Sequence, residues 1–226
     1  MAVALVADAH LGGPGGGGEE LVEQIGELDS GACRLLLFLG DLFHVWVGDE
    51  RYETAEVARV MPALDAARAR GLDVRYVEGN RDFFLAGSSY ARHFDAVAEE
   101  VTFTAADRRY LAVHGDGLDA ADWRYRFWRA ASKNPVSRFF CRRLPAGLAR
   151  RFVHAMDRRL EDTNFSHKLR VPEEAVASYG ARRLAEGFDV VLMGHYHQPR
   201  CWQLEAGEVR IVDAWFHHRR LEWLDD

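Results

Sequence analysis

Short apolar runs recur along the chain, and each has the length of a buried β-strand. They occupy residues 2–7, 35–39, 74–77, 110–113 and 190–193. Helical patterns separate them at residues 19–28, 54–70 and 173–186. Gly71 and Gly187 follow two of these patterns and are suited to end a helix. The alternation predicts an α/β fold, in which residues 209–224 are expected to supply closing strands of a second sheet.

Each predicted strand ends in a cluster of polar residues and glycines. The clusters read D-A-H at 8–10, G-D at 40–41, G-N-R-D at 79–82, H-G-D at 114–116 and G-H-Y-H at 194–197. Open α/β sheets place their sites at the carboxyl ends of the strands. The chemistry of this chain is therefore expected in these clusters.

Composition narrows the class of protein. The chain has 226 residues, 48% of them hydrophobic, which predicts one catalytic domain over residues 1–226. A net charge of −6 gives no reason to expect nucleic-acid binding. Cys33, Cys141 and Cys201 form no C-x-x-C pair, so neither a disulfide framework nor a thiolate zinc site is indicated, and a reducing compartment fits best.

The N-terminal apolar run has no cationic region and leads directly into Asp8, which favours a first strand over a signal peptide. No apolar run approaches the roughly 18 residues that a membrane-spanning helix needs. We therefore predict a cytoplasmic protein, with peripheral membrane attachment left open. The glycine-rich residues 12–18 lack the G-K-[ST] ending of a phosphate-binding loop, which favours a flexible linker.

A basic and aromatic segment at residues 124–159 stands out from an otherwise acidic chain. It contains eleven Lys or Arg residues against one acid, Asp157. Such a segment suits an anionic lipid headgroup or a phosphate ligand. The alternative is an ordinary amphipathic helical insertion whose arginines are solvated.

Seven residues of the strand-end clusters offer imidazole and oxygen ligands: Asp8, His10, Asp41, Asn80, His114, His195 and His197. Each alone is weak evidence, because such residues are more often caps or structural side chains, but the ordered set suits divalent Mn, Fe or Zn. Seven ligands exceed the roughly four to six positions of one small cation, which predicts two ions that share a carboxylate. Two such ions activate a shared water and hold phosphate oxygens, so phosphoester or phosphoanhydride hydrolysis is the predicted reaction.

The motifs D-x-H, G-D, G-N-[HR]-[DE], H-G-D and G-H-x-H, in this order, resemble the calcineurin-like metallophosphoesterase superfamily. The resemblance implies a four-layer α/β/β/α sandwich with a helical lid at about residues 118–171. It also implies two divalent ions, expected to be Mn²⁺. One ion would be held by Asp8, His10, Asp41 and His197, and the other by Asp41, Asn80, His114 and His195.

A narrower resemblance comes from residues 40–50 and 79–85, which are similar to the UDP-2,3-diacylglucosamine pyrophosphohydrolases of lipid A synthesis. In those enzymes an arginine follows the asparagine, and Arg81 stands there in this chain. This implies a nucleotide-sugar lipid substrate, a catalytic role for Arg81 beside Asn80 and His195, and no obligate protein partner. The alternative for Arg81 is a salt bridge with Asp82 or another nearby acid.

The same resemblance implies substrate contacts from the lid. The expected contact residues, besides Arg81, are Asp122, Tyr125, Trp128, Asn164 and Lys168. Departures begin farther along the lid, where Glu161 and Asp162 enter a stretch that is rich in Ser, Asn and Lys in the family. Tyr196 also replaces a small hydroxyl residue between the last two histidines.

These departures leave two alternatives to the lipid substrate. One is a paralogous metallophosphoesterase that acts on another nucleotide-linked or phosphodiester substrate. The other is a non-catalytic scaffold that binds a partner or membrane through residues 124–159. The intact set of seven ligand residues speaks against the scaffold, because a scaffold is free to lose them.

Overall fold

The computed structural model of this chain describes residues 2–13, 16–118, 123–145, 147, 148, 151, 155 and 171–224. The strands, in chain order, are β1 (Ala2–Val6), β2 (Cys33–Phe38), β3 (Trp46–Val47), β4 (Asp73–Val77), β5 (Asp82–Phe83), β6 (Ala96–Ala98), β7 (Glu100–Ala105), β8 (Arg108–Val113), β9 (Val190–Met193), β10 (Arg200–Leu204), β11 (Gly207–Ile211) and β12 (Glu222–Leu224). The α-helices are α1 (Gly18–Glu27), α2 (Ala55–Ala69), α3 (Trp123–Ser132), α4 (Pro135–Cys141), α5 (Glu173–Ala185) and α6 (Trp215–His218). Short 3₁₀ turns occur at Glu50–Tyr52 and Ser89–His93.

Two five-stranded sheets form the centre of the molecule. The first has the strand order β12-β1-β2-β4-β6, in which β12 is antiparallel to β1 and the other pairs are parallel. The second has the order β10-β11-β9-β8-β7, in which the three central strands are parallel and the edge strands antiparallel. A two-stranded parallel ribbon joins β3 and β5.

Alternate residues of each central strand pack on opposite faces, which explains why the strands read as continuous apolar runs. In β1, Val3 and Leu5 belong to the core between the two sheets, whereas Ala4 and Val6 pack in the core that includes residues of α1 and α2. On the far side, residues of β8, β9 and β11 pack with Val176 and Leu184 of α5. The layers therefore run α/β/β/α, as predicted from the resemblance.

The helix ends follow local chemistry. The Thr54 side chain accepts a hydrogen bond from the backbone N–H of Val57 at the start of α2. Gly71 and Gly187 follow the ends of α2 and α5 with φ of 95° and 93°, a conformation that glycine adopts without strain. Both helix-ending glycines are confirmed.

The prediction for residues 209–224 was correct only in part. Strand β11 lies in the second sheet, but β12 pairs with β1 at the edge of the first. Between them α6 carries Trp215 into the core beneath α1 and α2, which returns the chain to the first sheet. The sequence also did not indicate β3, β5, β6, β7 and β10, because these strands are short or carry exposed polar residues.

The helical lid expected at residues 118–171 is described only in part. Helices α3 and α4 lie within it, and residues 119–122, 146, 149, 150, 152–154 and 156–170 lie outside the described residues. None of the helices in the described part of the chain is both long and apolar enough to cross a membrane.

Candidate metal centre

The polar clusters that follow β1, β2, β4, β8 and β9 converge at one end of the two sheets. Asp8 and His10 follow β1, Asp41 follows β2, Asn80 follows β4, His114 follows β8, and His195 and His197 follow β9. Asp8 and Asp41 are fully buried, and His114 is 2% exposed. The structure thus brings all seven predicted ligand residues together from sequence positions far apart.

One group of ligand atoms lies around Asp8. His197 Nε2 is 3.2 Å from Asp8 Oδ1 and 3.2 Å from His10 Nε2, and His10 Nε2 is 3.8 Å from Asp8 Oδ1. Ligand atoms of the three residues lie within 4.8 Å of one another, so they can contact one small cation.

A second group lies around Asn80 and Asp41. Asn80 Oδ1 is 2.8 Å from His195 Nδ1 and 3.0 Å from His114 Nε2. His114 Nε2 is in turn 3.6 Å from Asp41 Oδ2. Asp8, Asp41 and His114 also have ligand atoms within 4.8 Å of one another, which places the two buried carboxylates between the two groups.

Asp41 provides the clearest test of whether a cation fits. Its Oδ2 is buried and accepts no hydrogen bond within the described part of the chain. Its Oδ1, by contrast, accepts the backbone N–H of Arg81 at 2.7 Å. An ionised carboxylate oxygen without a donor is costly in a protein interior, and a divalent cation between Asp41, His114 and Asp8 would remove that cost. The donor set of carboxylates, imidazoles and one amide oxygen fits such an ion.

Hydrogen bonds to neighbouring groups orient the ligand side chains. His114 Nδ1 lies 2.7 Å from the carbonyl oxygen of Leu39, so Nδ1 carries a proton. His114 Nε2 therefore faces Asn80 and Asp41. Burial opposes the charged form of His114, but the carboxylates of Asp41, Asp8 and Asp116 raise its pKa overall. Asp8 is oriented by the backbone N–H of His195, which donates to Asp8 Oδ2 at 2.7 Å.

The backbone of the site is unusual, and no sequence pattern indicated this. Positive φ values occur at Asp8 (48°), His10 (48°), Asp41 (53°), His195 (69°) and His197 (53°). Left-handed backbone is uncommon for residues other than glycine and clusters at functional sites. The conformation turns these side chains inward, towards one another.

Two glycines of the motifs are required by close packing. Gly40 has a φ of 88°, and a Cβ atom there would lie 2.6 Å from His114 Nδ1. A Cβ atom on Gly79 would lie 2.3 Å from Asp41 Oδ1 and 2.7 Å from the Asp41 nitrogen. The G-D and G-N motifs therefore carry glycine because the loops after β2 and β4 touch.

Asp82 supports these same two loops from inside the core. Its Oδ2 accepts hydrogen bonds from the backbone N–H groups of Asp41 (3.0 Å) and Gly79 (2.7 Å) and from the Tyr76 hydroxyl (2.8 Å). The Tyr76 hydroxyl accepts the Leu42 N–H at 3.1 Å. Burial, followed by the charge of Asp41, raises the pKa of Asp82 to about 7. Sequence reasoning gave Asp82 no such role.

Arg81 is buried against His44, and the nearby acid with which it forms a salt bridge is Asp41 rather than Asp82. Its Nη1 donates to the His44 carbonyl oxygen at 3.0 Å and lies 2.9 Å from His44 Nδ1. Its Nε is 3.8 Å from Asp41 Oδ2. The guanidinium group is therefore held at the edge of the ligand cluster.

Sequence reasoning missed two side chains that line the cluster. His44 packs its ring 6.0 Å from that of His10, and Gly13 approaches it so closely that a Cβ there would lie 2.7 Å from His44 Nδ1. The Phe216 ring lies 5.0 Å from that of His197 and 5.9 Å from that of His10. The apolar run at residues 214–216 gave no sign of this contact.

The predicted substrate contacts of the lid are largely beyond what the structure describes. Asp122, Asn164 and Lys168 lie outside the described residues, and Tyr125 and Trp128 are described only as positions in α3. The neighbouring Arg129 does reach the body of the protein. Its Nε donates to Asp116 Oδ2 at 3.0 Å, and its Nη2 donates to Glu99 Oε1 at 3.0 Å.

A four-layer α/β sandwich with these ligand groups at the strand ends defines a metal-dependent phosphoesterase. The model of the calcineurin-like phosphoesterase family matches residues 1–199, and the chain belongs to that family. Divalent metal ions are therefore implied, and the two groups of side chains are candidates to hold them.

Relatives with similar sequences extend over most of the chain. A UDP-2,3-diacylglucosamine hydrolase of Xanthomonas campestris pv. campestris (strain ATCC 33913) is 32% identical over 181 residues, which cover 76% of this chain and 72% of that protein. The protein of the same name from Xanthomonas axonopodis pv. citri (strain 306) is 30% identical over 216 residues, or 92% of this chain and 87% of that one. A third, from Shigella dysenteriae serotype 1, is 31% identical and covers 80% of this chain and 77% of that protein.

Solved structures support the fold. A single mutant of Vps29 from Entamoeba histolytica matches with a TM-score of 0.50 and 9% identity, and covers 100% of this chain and 86% of that one. Protein AQ665 from Aquifex aeolicus matches with a TM-score of 0.50 and 13% identity, and covers 98% of this chain and 95% of that one. At such low identity these matches show the fold alone.

Proposed function

We propose that this phosphoesterase cleaves the pyrophosphate of UDP-2,3-diacylglucosamine to UMP and 2,3-diacylglucosamine 1-phosphate. The observation that carries the proposal is Arg81, whose guanidinium is buried beside Asp41 and held by His44. The resembling hydrolases carry an arginine at this place after the asparagine. A fixed cation suits the charge that develops on a phosphoanhydride during cleavage. The names of the relatives point to the same substrate.

Two divalent ions, which we propose to be Mn²⁺, belong to this site. The proposed ligands are Asp8, His10, Asp41 and His197 for one ion and Asp41, Asn80, His114 and His195 for the other. When bound, such a pair polarises a phosphoryl group and lowers the pKa of an attacking water. Asp41 would be shared, because it lies between the two groups and its Oδ2 has no hydrogen-bond donor in the described part of the chain.

The chain's own residues have separate tasks in this reaction. Arg81 donates hydrogen bonds to the phosphate oxygens as their negative charge grows. Asn80 Oδ1 lies 2.8 Å from His195 Nδ1. Both residues would border the leaving phosphate. Attack of water on the α-phosphorus forms UMP and expels 2,3-diacylglucosamine 1-phosphate, whose phosphate is a good leaving group, so the reaction needs no separate general acid. Asp82 and Tyr76 hold the loops that carry Asp41 and Arg81.

The lid would bind the nucleotide-sugar lipid. We propose that residues 1–226 form one catalytic domain with the lid at about residues 118–171, and that Asp122, Tyr125, Trp128, Asn164 and Lys168 contact the substrate. The described part of the lid exposes both large apolar side chains and cations. Phe127 is 71% exposed and Phe140 63%, and Arg142 and Arg143 follow the end of α4.

These exposed apolar and cationic side chains support peripheral contact of a cytoplasmic enzyme with an anionic membrane, where each Arg contributes about 1 kcal/mol. Vesicle sedimentation tests the contact with phosphatidylcholine vesicles and with vesicles that contain phosphatidylglycerol. We expect tighter binding to the anionic vesicles and its loss in Arg142→Glu/Arg143→Glu. Equal binding to both vesicle types would contradict membrane contact.

The substrate is tested by Mn²⁺-dependent release of UMP from UDP-2,3-diacylglucosamine in detergent. UDP-N-acetylglucosamine and bis(4-nitrophenyl) phosphate serve as soluble comparisons. We expect fast release from the lipid substrate and slow release from the soluble ones. The matched control is Arg81→Ala, which removes the cation but leaves all proposed metal ligands in place.

The soluble comparisons also test a second candidate function. Glu161 and Asp162 stand where the resembling lipid hydrolases are rich in Ser, Asn and Lys, which favours a soluble nucleotide-linked or phosphodiester substrate. Turnover of the soluble compounds without the lipid would establish this candidate. Absence of turnover of all three compounds with Mn²⁺ bound would favour a non-catalytic scaffold.

A further inference from the structure

A corner closed by side-chain hydrogen bonds joins helices α3 and α4 of the lid. Asn134 Nδ2 donates to the carbonyl oxygens of Ala130 (3.0 Å) and Ala131 (2.7 Å), and Asn134 Oδ1 accepts the Ser137 N–H at 2.9 Å. These bonds close the end of α3 and cap the start of α4. Lys133 directly precedes Asn134, so the corner also fixes the backbone position of Lys133.

The Lys133 side chain leaves the lid and reaches the loop after β4. Its Nζ donates a hydrogen bond to the carbonyl oxygen of Gly79 and lies 5.7 Å from the centre of the Phe83 ring. The side chain is half-buried at this junction. A lysine ammonium packed on an aromatic ring and bonded to a carbonyl is more strongly held than a solvated one.

The position of Gly79 affects the arrangement of the residues around Asp41. It touches Asp41 so closely that no Cβ fits between them. Its N–H is held by Asp82 at 2.7 Å, and the N–H of Arg81 donates to Asp41 Oδ1 at 2.7 Å. A shift of the Gly79 carbonyl therefore moves Asn80 and Arg81 relative to Asp41.

Other hydrogen bonds between the described lid residues and the body attach to residues outside 79–81. Arg138 Nη2 donates to the Gly87 carbonyl oxygen at 3.3 Å, and Arg51 Nη1 donates to the Leu144 carbonyl oxygen at 2.8 Å. Both bonds anchor α4 away from the ligand cluster. Loss of Lys133 and loss of Arg138 each remove a hydrogen bond between the lid and the body, but only the bond of Lys133 bears on residues 79–81.

We propose that Lys133 is a positioning residue that ties the lid corner to residues 79–81 and so sets the placement of Asn80 and Arg81. The inference rests on the proposed role of these residues in phosphoester cleavage. It predicts an effect on the small diester as well as on the lipid, because the loop serves every substrate. A lysine that served only to hold the lid over the lipid would affect the lipid alone.

The test compares Lys133→Met with Arg138→Met in the full chain. For Mn²⁺-dependent hydrolysis of bis(4-nitrophenyl) phosphate, we expect Lys133→Met to lower kcat by about tenfold or more with KM changed less than about threefold, since a displaced catalytic group costs up to about a hundredfold. We expect calorimetric titration to show Mn²⁺ affinity weakened by about tenfold, the lower end of the effect of removing supporting groups. Arg138→Met should leave both quantities within about twofold of the wild type.

Lys133→Arg should recover most of kcat, because it restores a donor and a positive charge, and Lys133→Gln provides a second neutral variant if Lys133→Met folds poorly. The proposal is overturned if the folded neutral variants keep wild-type Mn²⁺ affinity and diester kcat and raise only KM for the lipid. If the wild type leaves UDP-2,3-diacylglucosamine uncleaved, the proposed substrate fails. The Mn²⁺ titration still decides the role of Lys133 in that case.

Discussion

Asp41→Asn is the substitution that most directly tests the shared carboxylate. The change keeps the shape of the side chain, and Oδ1 can still accept the Arg81 N–H at 2.7 Å. What is lost is the charge at Oδ2, which lies 3.6 Å from His114 Nε2 and 3.8 Å from Arg81 Nε. Loss of the attraction to Arg81 and His114 is opposed by relief of the repulsion with Asp82. We therefore expect little change in the stability of the metal-free protein.

Asp41→Asn should instead reduce the stabilisation of the native state by added Mn²⁺. At a concentration of about 100 times Kd, one site stabilises the native state by about 2.7 kcal/mol, or about 5 to 11 °C in Tm for a chain of this size. A hundredfold weaker affinity in Asp41→Asn would reduce this to about 0.4 kcal/mol, or about 1 °C. Because Asp41 is proposed to contact both ions, both contributions should fall together.

The assay is differential scanning calorimetry in EDTA and in MnCl₂ at one fixed concentration. Asp107→Asn is the matched control, because Asp107 lies on the exposed turn before β8, at the opposite end of that strand from His114. Asp107→Asn should show the full wild-type rise in Tm between EDTA and MnCl₂. Wild-type stabilisation by Mn²⁺ in Asp41→Asn would refute the shared-carboxylate site.

Three further results are expected. The pKa of Asp82 in the folded protein is raised from 3.8 to about 7, so its stabilising contribution is fully present below pH 3.8 and is lost as the pH rises through about 7. Urea unfolding in EDTA should show this fall in stability, and a flat profile over that range would contradict it. Gly79→Ala should lower Tm and weaken Mn²⁺ binding, since its Cβ would lie 2.3 Å from Asp41 Oδ1, whereas Gly117→Ala, which meets open space, should do neither. Arg81→Ala should keep the Mn²⁺-induced rise in Tm but lose about a hundredfold in rate, or about 3 kcal/mol, and an unchanged rate would remove Arg81 from the mechanism.

Local pattern determined much of the architecture. The central strands β1, β2, β4, β8 and β9 are buried on both faces, so they read as uninterrupted apolar runs, and all were predicted to within a few residues. The helix ends at Gly71 and Gly187 were equally predictable from the sequence, because a residue with left-handed backbone after a helix is usually glycine. The order of the five polar motifs indicated the family.

The pairing of the edge strands could not be predicted from the local sequence in the same way. Strand β12 pairs with β1 across almost the whole length of the chain, and the three residues of Glu222–Leu224 carry no pattern that specifies that partner. Pairing at a sheet edge depends on which strand is left open once the rest of the fold has formed. The wrong assignment of this strand to the second sheet follows from that.

The sequence by itself determined which residue types stand at the strand ends, and hence that the chemistry is that of a metal-dependent phosphoesterase. Only the tertiary structure decided how they face one another: the left-handed backbone at Asp8 and His195, and the support of two loops by Asp82. It also decided that Lys133, 54 residues beyond Gly79 in the chain, bonds to it. These contacts join loops distant in sequence, and because each depends on how both sheets pack, no local pattern encodes them.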